Sequence, residues 1–233
     1  MKTKKRIQQL TAAQFDALFP DEDACKGYLV NHRWPHGVVC PRCSNDEVSA
    51  HGTLPFHWQC SVCSPTETSY RFSVLVGTIF ENTNKPLKDW FRVIHLMLTS
   101  KKGMSALQIY RYMGFGSYKT AWHMCHRVRA GLANEDFRQL MGIVEVDETF
   151  VGGKVANRHK SRRDDDDMPP KVPVVGAIHT NTIEGFWSIL KRGVIGTYHK
   201  VSAKYLPLYV AEFQFRYNNR GNEDIFGTAI AGC

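Results

Sequence analysis

Four of the seven cysteines lie in two pairs, and their spacing constrains the fold more than any other feature of the sequence. Cys40 and Cys43 form one C-x-x-C motif, Cys60 and Cys63 form the other, and sixteen residues separate the motifs. Each motif places two thiolates on one turn, which is typical of tetrahedral four-thiolate zinc sites. We therefore predict a zinc ribbon over residues 34–75, in which these four cysteines bind a structural Zn²⁺.

The alternative interpretation is that the four cysteines are free thiols that pack in a core, but packing does not require two matched pairs. A site closed by four protein ligands leaves no open position for a substrate, so we expect the metal to be structural. Cys25, Cys125 and Cys233 have no partner at metal-ligand spacing, and we assign them no role.

The charge of the chain favours a polyanionic partner. Lysine and arginine outnumber aspartate and glutamate by 30 to 22 in 233 residues, and the pI is about 9.1. Nucleic acid or an acidic membrane surface is therefore the leading partner class. No run approaches the roughly 18 apolar residues of a membrane span, and no signal-peptide pattern follows the basic first residues. We expect a cytoplasmic protein that binds no membrane.

Residues 76–135 have the spacing of a helical section. An amphipathic helix is predicted over 87–100, and two more over 105–113 and 118–132 are joined by a short glycine-containing turn. The last of these helices is basic, which fits a helix-turn-helix with a recognition helix for the major groove. An ordinary αα-hairpin with a solvated basic face is the alternative. The candidate DNA contacts are Ser117, Lys119, Arg127 and Arg129.

Two later segments carry candidate metal ligands. Residues 143–151 alternate as a strand with Asp147 at its middle, and a helix predicted over 182–192 has Glu184 and Lys191 on one face. A carboxylate held on a strand suits a divalent cation when others converge on it. The alternative is structural, because Asn181 followed by Glu184 three residues later is also the pattern of a helix capping box.

Two long motifs resemble a known family. VEVDETFVGGK at 144–154 and HTNTIEGFWSILKRGVIGTYHKVSAKYLPLYVAEFQFRYNNR at 179–220 closely resemble the DDE-type transposases of bacterial insertion sequences. The sub-group they resemble joins an N-terminal zinc ribbon to an RNase H-like catalytic domain. The resemblance implies Mg²⁺-dependent DNA cleavage and strand transfer at the element ends, with two Mg²⁺ ions bound by three acidic positions.

The resemblance also implies roles for particular residues. Asp147 resembles the first catalytic acid, and the third falls at Glu184 or, as the alternative, Asn181. Lys191 resembles the basic residue that follows the third acid. Lys154 resembles part of the family's turn after the first strand, where it is free to meet a phosphate.

The chain departs from the family pattern between Asp147 and Glu184. Only 36 residues intervene, whereas the remaining strands and crossover helix of an RNase H-like order need roughly 45 to 50. One strand, over 172–178, fits. We infer that a segment is missing between residues 178 and 179 and that the second acid is absent with it. We therefore expect this copy to bind DNA and to be catalytically defective.

Together these features predict an α+β multi-domain protein with a truncated RNase H-like α/β domain. The expected parts are N-terminal helices over 1–33, a zinc ribbon over 34–75, a helical DNA-binding section over 76–135, a truncated catalytic domain over 140–220 and a tail over 221–233. The expected partner is double-stranded DNA at the terminal inverted repeats, in the bacterial nucleoid, and a homo-oligomer is compatible with this. The alternative is a non-catalytic DNA-binding remnant that recognises those repeats. A zinc-ribbon protein of the transcription machinery would leave both late motifs unexplained.

Overall fold

The computed structural model describes residues 7–63, 70–133, 145–151, 172–178 and 183–233. Of the strands at 145–151 and 172–178 it describes the backbone only. The chain divides into two units: Met1–Leu132 with Gly221–Cys233, and Ala133–Arg220. Among the described residues, no helix has both the length and the apolar character to cross a membrane.

The first unit contains most of the helices. Its strands are β1 Val48–Ala50, β2 His57–Cys60 and β3 Tyr70–Ser73. Its helices are α1 Ala12–Leu18, α2 Glu22–Arg33, α3 Leu87–Thr99, α4 Ala106–Met113, α5 Tyr118–Leu132 and α8 Ile225–Gly232. The second unit contains β4 Glu145–Val151, β5 Val172–Ile178, α6 Ile183–Gly193 and α7 Leu206–Asn218. The helices and strands predicted from periodicity form within a few residues of their expected bounds.

Side-chain caps mark the starts of helices α4 and α5. Ser105 and Gln108 form a capping box at the start of α4, in which the Ser105 hydroxyl accepts from the Gln108 amide at 3.2 Å. Gly114 ends α4 in the left-handed region, at a φ of 64°, where glycine meets no steric penalty. Ser117 accepts from the Lys119 amide at the start of α5. Local hydrogen bonding therefore sets the bounds of both helices.

The core of the first unit is aromatic and includes the end of the chain. We expected residues 221–233 to be a tail, but α8 forms there and places Phe226 against Phe15, Phe19 and Phe91, with ring centroids 5.6–5.8 Å apart. Asp224 caps the helix by accepting from the Gly227 amide at 2.8 Å. The expectation was wrong because the apolar spacing in this segment is that of a buried helix.

The ribbon is an antiparallel sheet in the order β1-β2-β3. Trp58 on β2 lies opposite Phe72 on β3, and both rings pack near Trp34, which follows α2. β2 ends at Cys60, which is paired with Val48 of β1. The sheet thus positions the second C-x-x-C motif directly.

The second unit has a two-stranded antiparallel sheet in its described part. Asp147 of β4 is opposite Gly176 of β5. Helices α6 and α7 pack through an apolar cluster, whose buried members are Phe186, Trp187, Leu190, Leu206, Val210 and Phe213. Helix α6 lies beside β4, and α7 beside β5. This strand-and-helix arrangement is compatible with the start and the end of the predicted RNase H-like order.

Candidate metal centre and nucleic-acid interface

The four paired cysteines converge on one point. The Sγ atoms of Cys40, Cys43, Cys60 and Cys63 all lie within 4.8 Å of one another. The Cys40 and Cys63 sulfurs are 3.6 Å apart, as are those of Cys43 and Cys60. A tetrahedral Zn²⁺ with Zn–S bonds of about 2.3 Å requires sulfurs about 3.8 Å apart. The observed sulfur positions therefore fit a structural Zn²⁺.

Backbone turns orient the first pair of ligands. The Cys40 amide donates to the Asn45 carbonyl and the Ser44 amide donates to the Cys40 carbonyl, both at 2.9 Å. Ser44 adopts a φ of 58°, which closes the turn around the sulfurs. The sequence between the two cysteines thus folds as a tight knuckle that aims both thiols toward the second pair.

The same turn favours the thiolate form of Cys40. Burial of this thiol raises its pKa, but the amides of Arg42 and Cys43 donate hydrogen bonds to the sulfur, and the neighbouring thiols add to them. The pKa of Cys40 is therefore lowered to about 7. Hydrogen bonds from thiols and amides stabilise negative charge on sulfur, which is the form that binds a metal.

Helices α4 and α5 present the candidate nucleic-acid face. Ser117 and Lys119, both predicted DNA contacts, are exposed at the start of α5. Arg111 is exposed on α4, and Lys101 and Lys102 are exposed just before it. These last three cations were not among the predicted contacts. The signal that could have found them is the absence of any Asp or Glu from residue 90 to 133, a stretch with seven Lys or Arg.

Two predicted contacts on α5 do not lie on this exposed face. Arg129 is only 1% exposed, so the expectation that it reaches DNA is corrected: its side chain is part of the core. Arg127 is half-buried and donates to the Glu81 carbonyl at 3.0 Å, with its guanidinium 5.5 Å from the Trp90 ring centre. Periodicity alone placed both off the apolar side, but neighbouring elements cover that part of the helix.

The predicted catalytic positions lie in the second unit. Asp147 is at the middle of β4, and Glu184 is in the first turn of α6, the helix that packs beside β4. The backbone therefore brings the two acidic positions into one unit. Lys191 is exposed near the end of α6. Asn181 and Lys154 lie outside the described residues.

Comparison with known families agrees with the two parts that carry these sites. Residues 20–66 match the transposase zinc-ribbon domain, and residues 175–218 match the ISXO2-like transposase domain. The fold and the four-sulfur site define a zinc-ribbon protein. With the second match, the chain is similar to insertion-element transposases in two separate segments.

A curated relative supports the same family. An uncharacterized protein in transposable element ISH50 of Halobacterium salinarum is 26% identical over 146 residues, which are 62% of this chain and 47% of the relative. The chain thus spans about half the length of this relative. No solved structure matches the chain significantly.

Proposed function

We propose that the chain binds double-stranded DNA at the ends of its insertion element, through the exposed face of α4 and α5, and that it neither cleaves nor joins DNA. The observation that supports DNA binding is the composition of residues 90–133, which include seven Lys or Arg and no Asp or Glu. Such a stretch attracts the phosphate backbone without internal competition from acidic side chains.

The arrangement of α4 and α5 supports binding in a groove. The two helices pack together across the turn at 114–117, and the exposed start of α5 carries Ser117 and Lys119. The free amides of a helix start favour phosphate, and a second helix that enters the major groove presents its first residues to the bases. Lys101, Lys102 and Arg111 supply further phosphate contacts. The terminal inverted repeats are the expected binding sequence.

The arrangement of the second unit supports a catalytic defect. Helix α6 begins only five residues after β5 ends, with residues 179–182 between them. Four residues cannot form the crossover helix and further strand that would carry the family's second acid. Of the family's three metal-binding positions, this chain supplies the first at Asp147 and the third at Glu184 or Asn181, but it has no segment for the second. A site for two Mg²⁺ ions therefore does not fit this chain. The family reaction, cleavage and strand transfer, is accordingly not assigned to it.

Binding is tested by the salt dependence of affinity for a duplex of the terminal repeat, measured with the full chain by fluorescence anisotropy. We expect Lys101→Gln, Lys102→Gln, Arg111→Gln and Lys119→Gln, combined, to weaken binding more than tenfold. The slope of log K against log salt should fall by about 0.9 for each phosphate that the variant no longer neutralises. Arg42→Gln with Arg71→Gln, in the ribbon, is the control and should change affinity less than twofold.

Unchanged affinity and slope in the combined variant would contradict the proposal and favour the solvated αα-hairpin. A scrambled duplex of the same length separates repeat recognition from non-specific binding. The catalytic part is tested by a Mg²⁺-dependent nicking and strand-transfer assay. Product from this chain that disappears in Asp147→Ala would show an active transposase and refute the defect.

A further inference from the structure

A second basic surface lies in the other unit, on the extension of α6. The helix continues directly into a π-helical turn, Val194–Tyr198. Exposed residues recur in pairs at 191–192, 195–196 and 199–200, while residues 193–194 and 197–198 are buried or half-buried. Because this spacing is close to one helical turn, the exposed pairs line one side. We call this side the basic ridge, formed by Lys191, Arg192, Ile195, His199 and Lys200.

Contacts beneath the ridge hold the π-helical turn in place. The Tyr198 hydroxyl donates to both carboxylate oxygens of Glu212, at 3.4 and 3.5 Å, and Glu212 is completely buried. The Tyr198 ring also packs edge-on against Tyr209, with centroids 4.7 Å apart. Arg216 lies 3.4 Å from Glu212 on the next turn of α7. The inward side of the turn is therefore anchored to α7.

The turn ends in an unusual backbone conformation. His199 has a φ of 57°, in the left-handed region that non-glycine residues rarely adopt. π-helical turns and residues in such conformations are concentrated at functional sites, where surrounding contacts maintain the strain. The Tyr198 anchor is the adjoining contact here, and it leaves His199 and Lys200 exposed.

The segment that carries the ridge is basic. Residues 185–211 contain four Lys or Arg and no carboxylate. Within the described parts of the chain, Lys191, Arg192 and Lys200 form no ion pair. Ile195, at the centre of the ridge, is 74% exposed, which exceeds every other exposed large hydrophobic residue in the described ranges.

We propose that the basic ridge is a second contact for duplex DNA, distinct from the face of α4 and α5. Its cations bind phosphates, and Ile195 packs against the sugars of the minor groove, where proteins often place apolar side chains. A second copy of the chain is a poorer occupant, because symmetric pairing of two ridges would bring like charges together. The proposal rests on DNA binding by this chain, as proposed above.

Lysine acetylation with and without saturating duplex tests the ridge directly in the full chain, read by peptide mass spectrometry. We expect Lys191 and Lys200 to be protected at least threefold by the terminal-repeat duplex. Lys204 is the internal control: it is exposed in the same unit, beyond the ridge, and should be modified equally in both samples. Lys101, Lys102 and Lys119 report separately on the helical face.

The outcomes distinguish the two proposals. Protection of the helical lysines without Lys191 and Lys200 overturns the ridge and leaves the proposed function intact. Protection of the ridge lysines alone overturns the role of α4 and α5 and supports the ridge. Lack of protection at every lysine overturns both proposals. Protection of the ridge that depends on protein concentration and not on DNA shows a second copy on this surface and overturns the proposal.

Substitutions give an independent measurement. Ile195→Asp places a negative charge within the ridge at an exposed position, where folding tolerates it, and should weaken duplex binding about tenfold. Lys200→Gln should lower the salt slope by about 0.9, as expected for one phosphate contact. Lys204→Gln removes the same charge in the same unit and should leave both quantities unchanged. Equal behaviour of Lys200→Gln and Lys204→Gln, with wild-type binding by Ile195→Asp, would refute the ridge.

Discussion

The zinc ribbon and the helical section lie in the same unit, yet different forces hold them. The ribbon strands are only three or four residues long, and residues of β1 and β2 other than Cys60 remain partly exposed. Helix α3, by contrast, buries most of its apolar side chains. Apolar burial stabilises a structure roughly in proportion to area, so α3 is held by its core. A sheet as small as the ribbon needs its metal.

The two regions also differ in charge. Residues 34–75 carry two Lys or Arg against three Asp or Glu, whereas residues 90–133 carry seven against none. The ribbon, which has the most recognisable motif, is therefore the less basic of the two regions. This difference agrees with a division of roles in which the metal organises the ribbon and, as proposed above, the helices bind phosphate.

Loss of zinc should have the largest effect, confined to the ribbon. We expect Cys60→Ser or chelation to unfold residues 40–63, because binding of a structural Zn²⁺ contributes roughly 10 kcal/mol to the folding of comparable small modules. Amide hydrogen exchange should show faster exchange in β2 and near-native protection in α3 and α5. Cys25→Ser is the control, since Cys25 is buried away from the four-sulfur site, and it should retain one zinc per chain. Equal loss of protection in ribbon and helices would show one cooperative unit.

Truncation of Phe226 should have the next largest effect, on the helical core. Its ring packs against Phe15, Phe19, Tyr28 and Phe91 from the far end of the chain. Phe226→Ala should lower the free energy of unfolding by about 3–5 kcal/mol in urea denaturation. Ala231→Ser, at an exposed position of the same helix, should lie within about 0.5 kcal/mol of wild type. Zinc content should stay at one per chain in both variants; loss of zinc from Phe226→Ala would show that the ribbon and the helical core depend on each other.

Protonation of His95 should give the smallest effect, again in the helical core. His95, in α3, is buried against Phe15 of α1. This burial lowers the pKa of the His95 imidazole below its ordinary value. The unfolded chain therefore binds this proton more readily, so its contribution to stability is complete above about pH 6.5 and is lost as the pH falls through the folded-state pKa. The slope cannot exceed about 1.4 kcal/mol per pH unit for one proton.

Urea denaturation between pH 5 and 7.5 measures that slope. His95→Gln should reduce it, whatever the change in overall stability, while His123→Gln, at an exposed position of α5, is the matched control. An unchanged slope in His95→Gln would assign the pH dependence to other groups.

Much of the local structure was predictable because it depends on residues close in the chain. The four-cysteine spacing predicted the metal site, and the helix predicted over 105–113 agrees with α4 within one residue. Arg129 was misplaced because the periodicity of α5 does not show which neighbouring elements cover its second half. The basic residues before and on α4 were predictable from the sequence, because residues 90–133 contain no Asp or Glu. The helix-turn-helix pattern instead indicated contacts on α5.

The sequence by itself determined where the metal ligands, caps and amphipathic helices lie, since these follow from contacts three or four residues apart or from the spacing of a motif. Only the tertiary structure decided that the last helix completes the first core, that Arg129 is buried, and that Tyr198 reaches a buried Glu212 beneath the basic ridge. Each of these depends on which distant segments pack together. Burial is a property of that packing, and no local pattern of residues specifies it.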